Sequence, residues 1–291
     1  EEEYYRSGAP ARVTQNGIFL LAPTLFEFGT DEQKERILRP MAAAEILWAQ
    51  AWSEPNAGSD LANVRSHARR TEGGWLLTGQ KTWCSRGSFS DGIYGLFRTD
   101  PESKRHRGLT YFMVSLDQPG VTLRGVDDLL EEEAFAEVFL EDVFVPDSDV
   151  IGEVDQGWRV AMATTASERG LTLRSPGRYL ATADRLIALW KEQGSPDRLR
   201  DRVLQCHMDA QAYRFYTFQA VTRMIQGGTM GADSSLNKLF WSEMDIETHE
   251  LAMELLGRQA ELLPSAPDAH NRSRWLHDYL FSLAGPIYAG T

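Results

Sequence analysis

The segment TTASERGLTLRSPGR, residues 164–178, places one carboxylate and one guanidinium among small and apolar residues. Between Val160 and Leu173 the only charged side chains are Glu168 and Arg169. On a helix, consecutive side chains point about 100° apart, so these two cannot neutralise each other as a local pair. Charges on a helix are usually solvated, but a solvated surface carries several per turn. A carboxylate with few polar neighbours is suited to general-base chemistry, because weak solvation raises its pKa toward neutrality.

Two further motifs combine aromatic, small polar and glycine residues. WSEPNAGSD (52–60) joins a proline to a Gly-Ser-Asp turn, and GQKTWCSRG (79–87) places an aromatic and small polar residues between glycines. Each motif alone is compatible with an ordinary loop. Trp52 and Trp83, taken alone, are compatible with core packing, since aromatic residues of a β domain are more often core residues than ligand contacts.

Composition and charge are those of an ordinary globular protein. The chain has 291 residues, 42% of them hydrophobic and 25% charged, which is enough for more than one domain. A formal net charge of -12 argues against a general affinity for nucleic acid or anionic membranes. Cys84 and Cys206 lie far apart without a ligand spacing, so we expect neither a disulfide framework nor a metal site.

The sequence carries no pattern of export or membrane insertion. No apolar run reaches the roughly 18 residues that can span a bilayer. The first residues, EEEYYRSG, lack the basic-then-apolar order of a signal peptide. We therefore expect a cytoplasmic protein.

Three zones must position these motifs. Residues 1–47 are typical of helical fragments, with cap chemistry at Thr30 before a short helix. Residues 48–154 contain short β-branched and aromatic segments separated by Gly and Pro turns, a pattern expected of an antiparallel barrel or sandwich. The clearest of these strand segments are 75–78, 92–97, 109–116 and 137–145.

From residue 155 onward the apolar period is helical and predicts an antiparallel four-helix arrangement. We expect Pro176 to bend the first of these helices and Gly257 to end the third. The expected helices are 158–193, 197–226, 233–256 and 272–284. One face of the third helix is expected to carry Leu236, Leu239, Phe240, Met244, Leu251 and Leu255.

The order and spacing of the two motifs and of three later segments resemble the acyl-CoA dehydrogenase family over nearly the whole chain. The later segments are LEDVFVP (140–146), GWRVAM (157–162) and IYAGT (287–291). The resemblance implies an α+β multidomain fold and a role in fatty acid or steroid degradation. Its parts would be the remnant of an N-terminal helical domain over 1–47, a middle antiparallel β-barrel over 48–154, and a C-terminal four-helix bundle over 155–291.

The resemblance also implies FAD as cofactor and an acyl-CoA thioester as substrate. Gln50, Trp52 and Ser53 would lie along the isoalloxazine, Trp83 would cover one side of it, and Ser85 would form a hydrogen bond near N5. Gly257 and Thr291 would complete the cofactor contacts. Ser59 would contact the CoA chain or serve only as a turn residue.

The position of the catalytic base distinguishes branches of the family. Many members carry it as a Glu directly before the closing Gly-Thr, where this chain has Ala289. A minority, including the isovaleryl-CoA and long-chain enzymes, carries it on the first C-terminal helix directly before an Arg. Glu168 occupies that place, so the resemblance implies that it removes the substrate α-proton while the β-hydride moves to flavin, giving a trans-2-enoyl-CoA.

The closing segment retains a role in this scheme. The backbone N–H of Ala289 would donate to the thioester carbonyl, where negative charge builds. Arg169 and Gly290 would line the substrate pocket, or Arg169 would form a salt bridge within the bundle. A methyl group at position 289 leaves space at the acyl end, which favours a long, branched or bulky, steroid-like acyl group.

Two departures from the family pattern fall in one half of the FAD site. The stretch 191–205 lacks the family's Arg-x-x-Phe-Gly, although Arg198, Arg200 or Arg202 could replace its arginine, and Gly257-Arg258 stands where many members have Gly-Gly. These losses suit a base-supplying subunit of an α2β2 heterotetramer, as in actinobacterial enzymes for steroid side chains. A homotetramer remains open, and the resemblance implies an electron-transferring flavoprotein as acceptor.

Three other functions are compatible with the same sequence. The chain could be a non-catalytic partner that stabilises an active subunit, since a fold does not fix a function. It could also be a flavin oxidase or monooxygenase on the same scaffold. A plain binding module is the least consistent with two flavin-facing motifs.

Overall fold

The computed structural model describes most of the chain and divides it into two compact units. The described residues are 1–10, 12–129, 132–168, 175–228, 233–263, 266 and 273–288, with the backbone alone for 166–168 and 273. One unit is Arg12–Glu168, and the other combines Glu1–Ala11 with Arg169–Thr291. The division into domains at residues 47 and 154 stays a prediction.

The unit Arg12–Glu168 begins with helical segments. A π-helical turn, Gly17–Leu21, continues into α2, Ala22–Phe28, and is followed by α3, Asp31–Ala42. The start predicted near Thr30 is confirmed as a capping box, in which Thr30 and Gln33 exchange side-chain and backbone hydrogen bonds. The Gln33 amide also donates to the carbonyls of Ser148 and Val150, at 2.7 Å each, and thereby ties α3 to the sheet.

Within the described part of this unit, eight strands follow in a single sheet of order β6-β7-β3-β2-β4-β5-β8, with β1 added beside β4. The strands are β1 Trp48–Gln50, β2 His67–Thr71, β3 Gly74–Ser85, β4 Gly92–Arg98, β5 Leu109–Ser115, β6 Val121–Val126, β7 Phe135–Pro146 and β8 Val150–Ile151. The sheet is mixed rather than purely antiparallel, because β1 pairs in parallel with β4. The chain between them, which includes β2 and β3, is long enough for the crossover that a parallel pair requires.

The core of this unit forms where strands are covered on both faces. Residues Gly92–Phe97 of β4 and Leu109–Val114 of β5 are all buried, which is the pattern of strands buried on both sides. Trp75, Phe97 and Phe112 pack edge-to-face in this core. Burial of each such side chain contributes about 1.5–3 kcal/mol.

Helix α4, Gly157–Glu168, closes this unit and packs against β5. Gly157 permits the approach, because a Cβ at this position would lie 2.7 Å from the carbonyl carbon of Thr110 and 2.8 Å from the carbonyl oxygen of Leu109. Any side chain there would push the start of α4 off the strand. The helix therefore begins at a fixed place along β5.

The other unit is helical, with α1 Glu2–Arg6, α5 Pro176–Glu192, α6 Asp197–Ile225, α7 Asp233–Leu256 and α8 Ser273–Ser282. The predicted helices 197–226 and 233–256 are confirmed, as is the end of α7 at Gly257, whose φ is 54°. No helix among the described residues is long and apolar enough to cross a membrane.

The single bent helix expected over 158–193 is wrong. Helix α4 ends at Glu168, and a separate helix begins at Pro176. Ser175 has an extended backbone, and its hydroxyl accepts the N–H of Gly177 as an N-cap. Proline suits the first helical position because its nitrogen needs no hydrogen-bond partner there, so Pro176 begins a helix rather than bending one.

The common apolar face expected for α7 is also only partly correct. Met244, Leu251 and Leu255 are buried, but Leu236, Leu239 and Phe240 are exposed in the single chain. The first turns of α7 bury Trp241 together with three polar side chains, namely Asn237, Lys238 and Ser242. The buried residues of α7 form one stripe along the whole helix, from Asn237 to Leu256, and the three exposed residues lie outside that stripe.

Candidate active site

The loop WSEPNAGSD follows β1 and is organised by Glu54. Glu54 and Ala57 exchange two backbone hydrogen bonds, of 2.9 and 3.0 Å, which close the turn. The Glu54 carboxylate is buried and accepts the backbone N–H groups of Arg65, at 2.6 Å, and Ser66, at 2.9 Å. A buried carboxylate therefore fixes the shape of the first motif.

Lys81 joins the second motif to the first. Its side chain is fully buried within β3, and its ammonium lies 2.8 Å from Glu54 Oε1 and 2.7 Å from the carbonyl oxygen of Leu96. The backbone N–H of Thr82 also donates to the carbonyl of Ser53 at 2.9 Å. An ion pair and a backbone hydrogen bond thus place the two motifs side by side.

Burial and ion pairing act in opposite directions on the pKa of each member of this pair. Burial alone would raise the pKa of Glu54, but the Lys81 ammonium and the N–H donors more than offset it, so this pKa lies below its usual value. Burial lowers the pKa of Lys81, and the Glu54 carboxylate opposes that shift. The carbonyl of Leu96 and the Phe97 ring, 4.6 Å away, further stabilise the ammonium.

A β-bulge then turns Trp83 outward. The register of β3 on β7 shifts between Lys81 and Cys84, and Trp83 in between has a left-handed φ of 57°. Positive φ is uncommon outside glycine, and bulges of this kind re-aim a side chain. The Trp83 ring is 61% exposed and lies edge-on to Phe135, with 5.6 Å between ring centroids.

Small polar residues accompany this exposed ring. Ser85 ends β3 opposite Phe135, and its carbonyl accepts the side-chain amide of Asn16 at 3.2 Å. Ser53 is half-buried at the start of the first loop, and Gln50 is the last residue of β1, paired with Tyr94. The hydrogen bond from Thr82 to Ser53 and the shared strand bring Ser53, Trp83 and Ser85 to one region of the unit.

The Trp52 side chain does not share the exposure of Trp83. It is 9% exposed, and its indole N–H donates to the Tyr111 hydroxyl at 3.0 Å, with the two rings edge-to-face. The indole is thus part of the core, which is the alternative that Trp52 alone suggested. Ser59 lies exposed on the same loop.

Glu168 is the last residue of α4, so the sequence-derived base lies in the same unit as both motifs. Its side chain lies outside the described residues, as do Arg169, Ala289, Gly290 and Thr291. The chain that leads to position 289 is anchored within its own unit. The Lys238 ammonium donates to the Pro286 carbonyl at 3.1 Å, and Tyr288 packs against Trp241 with ring centroids 6.1 Å apart.

Comparison with known families identifies this arrangement. Residues 49–143 match the acyl-CoA dehydrogenase middle domain, and residues 155–291 match the acyl-CoA dehydrogenase C-terminal domain. The chain belongs to the acyl-CoA dehydrogenase family. It is accordingly an oxidoreductase acting on a CH–CH bond.

Individual relatives of this acyl-CoA dehydrogenase agree with the assignment. Acyl-CoA dehydrogenase IpdE1 of Mycolicibacterium smegmatis is 38% identical over 303 residues, which cover 100% of this chain and 75% of that protein. The solved ChsE4-ChsE5 complex from Mycobacterium tuberculosis has a TM-score of 0.86 at 27% identity and covers 100% of this chain and 76% of its own. The Tcur3481-Tcur3483 steroid ACAD has a TM-score of 0.89 at 24% identity, over 99% of this chain and 75% of its own, and shows the fold alone.

The β-domain residues fit the ring end of an FAD. A large aromatic side chain exposed by a left-handed backbone, with Ser53 and Ser85 in the same region, supplies a stacking surface and hydrogen-bonding groups for a flat heteroaromatic ring. The interior position of Lys81 beneath this region keeps the supporting strand fixed. These residues of the acyl-CoA dehydrogenase would therefore hold the isoalloxazine.

The helical unit provides less for the pyrophosphate end. Arg198 pairs with Glu254, and Arg202 pairs with both Glu247, at 2.8 Å, and Glu254, at 2.6 Å. Arg200 is exposed, with no ion pair to any side chain within the described ranges. Carboxylates of α7 thus already engage two of the three arginines proposed as substitutes for the missing motif.

Gly257 has a local role that requires no ligand. Its φ of 54° is the left-handed conformation that ends α7, and a Cβ there would meet no atom within 4 Å. The close approach of its backbone to the cofactor stays a prediction.

Four residues that matter to this site were missed from the sequence. Glu54 and Lys81 lie inside the quoted motifs, and the available signal for Lys81 was that it is the only charged residue in the segment Gly74–Ser85. Tyr111 and Thr164 had no such signal. Their hydroxyl groups meet through the packing of α4 on β5, which the sequence pattern alone does not specify.

Proposed function

We propose that this chain catalyses the FAD-dependent α,β-dehydrogenation of an acyl-CoA thioester to a trans-2-enoyl-CoA, with Glu168 as the base. The observation that carries this proposal is the placement of Glu168 at the end of α4, in the same compact unit as the Trp83 bulge and the Glu54–Lys81 pair. The closing segment has Ala289 where many family members have the base, so the chain requires a carboxylate from another element.

The residues have separate tasks in this reaction. When bound, FAD supplies the acceptor for the β-hydride. Glu168 accepts the α-proton, and the backbone N–H of Ala289 donates to the thioester oxygen as negative charge builds there. Ser53, Trp83 and Ser85 orient the isoalloxazine.

The remaining sequence candidates concern the cofactor and substrate ends. Gln50 and the backbone at Trp52 border the isoalloxazine, while Gly257 and Thr291 contact other parts of FAD. Ser59 contacts the CoA chain, and Arg169 and Gly290 line the acyl pocket. A methyl group at position 289 supports a long, branched or bulky, steroid-like acyl group, because it occupies less of that pocket than a glutamate.

The active assembly contains more than one chain and works in the cytoplasm. The exposed face of α6 carries large apolar residues, including Met208, Phe215 and Phe218, which are 54%, 64% and 49% exposed in the single chain. Contiguous apolar surface of this kind marks an interface. The solved relative is a complex of two named chains, which supports an α2β2 heterotetramer. A homotetramer is the alternative assembly. An electron-transferring flavoprotein is the expected electron acceptor.

One observation favours a second function, that of a partner subunit. Arg198 and Arg202 are bound by carboxylates of α7, so they are poorly available to a pyrophosphate. In this alternative a different chain supplies those FAD contacts, and this chain contributes either the base or only stability.

The test is an anaerobic absorption spectrum of the protein, purified with any chain that co-purifies, before and after addition of short, branched, long and steroid acyl-CoA thioesters. The proposal predicts a flavin spectrum that bleaches with one class of thioester, with an enoyl-CoA product detected by mass spectrometry. A flavoprotein that no thioester bleaches contradicts it. Oxygen consumption without an external acceptor indicates an oxidase or monooxygenase instead.

A further inference from the structure

We propose that Thr164 and Tyr111 are positioning residues that fix the last turn of α4, and with it Glu168, against strand β5. This inference rests on the proposed function, because its consequence for catalysis depends on Glu168 being the base. It adds two residues that are fully buried inside the unit.

The N-terminal end of α4 is already fixed on β5. A parallel bridge joins Gln156 to Leu109, and Gly157 allows the helix backbone to lie against Leu109 and Thr110. The hydroxyl of Thr110 also accepts the N–H of Asp155 at 2.8 Å. A second point of attachment near the other end of α4, where Glu168 lies, would fix the rotation of the helix about its axis and its position along that axis.

A row of buried polar groups provides that attachment. The indole N–H of Trp52 donates to the Tyr111 hydroxyl at 3.0 Å. The same Tyr111 hydroxyl lies 3.4 Å from the hydroxyl of Thr164. Thr164 in turn lies 2.7 Å from the hydroxyl of Thr24 on α2. Tyr111 and Thr164 are 0% exposed and Thr24 is 2% exposed. The row joins the first motif, β5, α4 and α2.

The protons of this row can all be placed. Because the Tyr111 oxygen receives the Trp52 N–H, its own proton is available to Thr164. The Thr164 hydroxyl also contacts the carbonyl of Val160, four residues earlier in α4, at 3.1 Å. The Thr24 hydroxyl contacts the carbonyl of Leu20, in the π-helical turn that precedes α2, at 2.7 Å. One threonine donates to the other and the second donates to its carbonyl, so each hydroxyl proton has an acceptor.

The row therefore favours one register of α4. A slide by one residue moves the helix by about 1.5 Å and turns it by about 100°, which removes Thr164 from both neighbours. A buried hydroxyl left without a partner costs about 1–3 kcal/mol. Glu168 follows Thr164 by four residues, one turn along the helix, so the register that satisfies Thr164 also sets the position of Glu168.

The consequence for catalysis is geometric. A misplacement of about 1 Å can reduce a rate by about 100-fold, because the reacting atoms leave their near-attack distance. Loss of the row should therefore lower kcat and leave the binding of FAD and acyl-CoA nearly unchanged. The 3.4 Å contact is the longest in the row, so Thr164, which also contacts Thr24, is the more informative residue to change.

The experiment compares Thr164→Val with Thr217→Val, a matched control. Thr217 is also buried on a helix, at 5% exposure, and its hydroxyl contacts the Tyr213 carbonyl one turn back, at 2.9 Å. Thr164→Ser retains the hydroxyl and serves as the rescue. Tyr111→Phe and the Tyr111→Phe/Thr164→Val double variant test whether the two hydroxyls act together.

We expect Thr164→Val to lower kcat by about tenfold or more with KM changed less than about threefold, whereas Thr217→Val and Thr164→Ser retain most of kcat. The double variant should lose less than the product of the two single losses. Hydrogen exchange of the α4 backbone amides, measured without substrate, should be faster in Thr164→Val and unchanged in Thr217→Val.

Two outcomes would overturn the inference. The first is a Thr164→Val variant that keeps the wild-type kcat, whether or not its α4 amides exchange faster, because the row would then only support the fold. The second is an equal loss of kcat in Thr217→Val. Failure of the proposed function is recognised separately, since wild-type protein would then not bleach with any thioester while amide exchange would still report on the row.

Discussion

At the scale of single residues, a buried ion pair connects the two motifs that face the proposed flavin site. Lys81 is fully buried, and its ammonium reaches Glu54, which in turn accepts two backbone N–H groups of the following loop. A charge removed from water is costly unless it is paired and hydrogen-bonded. The pair therefore affects both stability and the geometry of the site.

We predict that Lys81→Met destabilises the protein by about 3–5 kcal/mol, because it leaves the Glu54 carboxylate buried without its counter-ion. Urea unfolding followed by circular dichroism measures this loss. Glu54→Gln in the Lys81→Met background should recover part of it, since the uncompensated charge disappears. Lys191→Met, at an exposed position near the end of α5, is the control and should change the unfolding free energy by less than about 0.5 kcal/mol. A small loss in Lys81→Met would show that Glu54 is solvated.

The sequence identified the motifs around this pair but not the pair itself. The motifs WSEPNAGSD and GQKTWCSRG can be recognised in the sequence. The contact between Glu54 and Lys81 depends on how β3 packs against the loop after β1. Trp83 points outward because of a β-bulge, and no residue type in this segment predicts that bulge. Trp52 and Trp83 thus have the same residue type but opposite exposures.

At the scale of elements, the helical unit is organised around a partly buried charge network that joins α5, α7 and α8. Arg178 on α5 contacts Asp245 on α7 at 3.1 Å, and Arg185 contacts Asp278 on α8 at 3.3 Å. His249 lies between these carboxylates, 3.3 Å from Asp245 and 3.9 Å from Asp278. Its Nδ1 lies 2.7 Å from the Asp245 carbonyl, which requires a proton on that nitrogen.

This network predicts a pH dependence of stability. Burial lowers the pKa of His249 despite the carboxylates of Asp245 and Asp278, and Arg178 adds to the lowering. The unfolded chain, with a histidine pKa of about 6.5, binds this proton more readily than the folded one. Stability should therefore be fully present above about pH 6.5 and fall as the pH drops from there toward the folded pKa.

The measurement is the urea-unfolding free energy of wild type and His249→Gln between about pH 5 and 7.5. Glutamine cannot titrate, so the variant should show a smaller decrease over this range, whatever its stability at neutral pH. An identical pH slope in the two proteins would show that His249 does not contribute.

The element boundaries show where sequence patterns succeed and where they fail. The long helices α6 and α7 were predicted within a residue, because each is long and contains no proline or glycine that would interrupt it. The break between α4 and α5 was missed, because a proline can bend a helix or begin one. The N-cap at Ser175 shows that Pro176 begins a helix here and does not bend one.

At the scale of the whole molecule, the family and its fold follow from motifs spread along the chain, whereas the assembly does not. The apolar residues of α6 can be read from the sequence, but their spacing does not show which of them face the core and which face an interface. The structure separates them: Val203, Ala210 and Tyr213 are buried, while Phe215 and Phe218 are exposed in the single chain. The exposed set on α6 is the surface that we expect a second chain to cover.

We predict that Phe215→Glu reduces the oligomeric state, because a charge buried in an apolar interface is not compensated. Light scattering after size-exclusion chromatography measures the mass of the assembly. Phe26→Glu is the matched control, since Phe26 on α2 is 65% exposed against 64% for Phe215 and lies in the other unit. An unchanged mass in Phe215→Glu, or an equal loss in Phe26→Glu, contradicts the assigned surface.

The rate of flavin reduction in a single anaerobic turnover shows whether Glu168 is the base. Stopped-flow absorption compares wild type, Glu168→Gln and Glu192→Gln with the thioester that bleaches the enzyme. Glu192 is the last residue of α5 and is exposed, so the control makes the same change at a surface position of a helix. We predict at least about a 100-fold slower reduction in Glu168→Gln alone, with FAD retained. Reduction at the wild-type rate in Glu168→Gln would show that another group removes the α-proton.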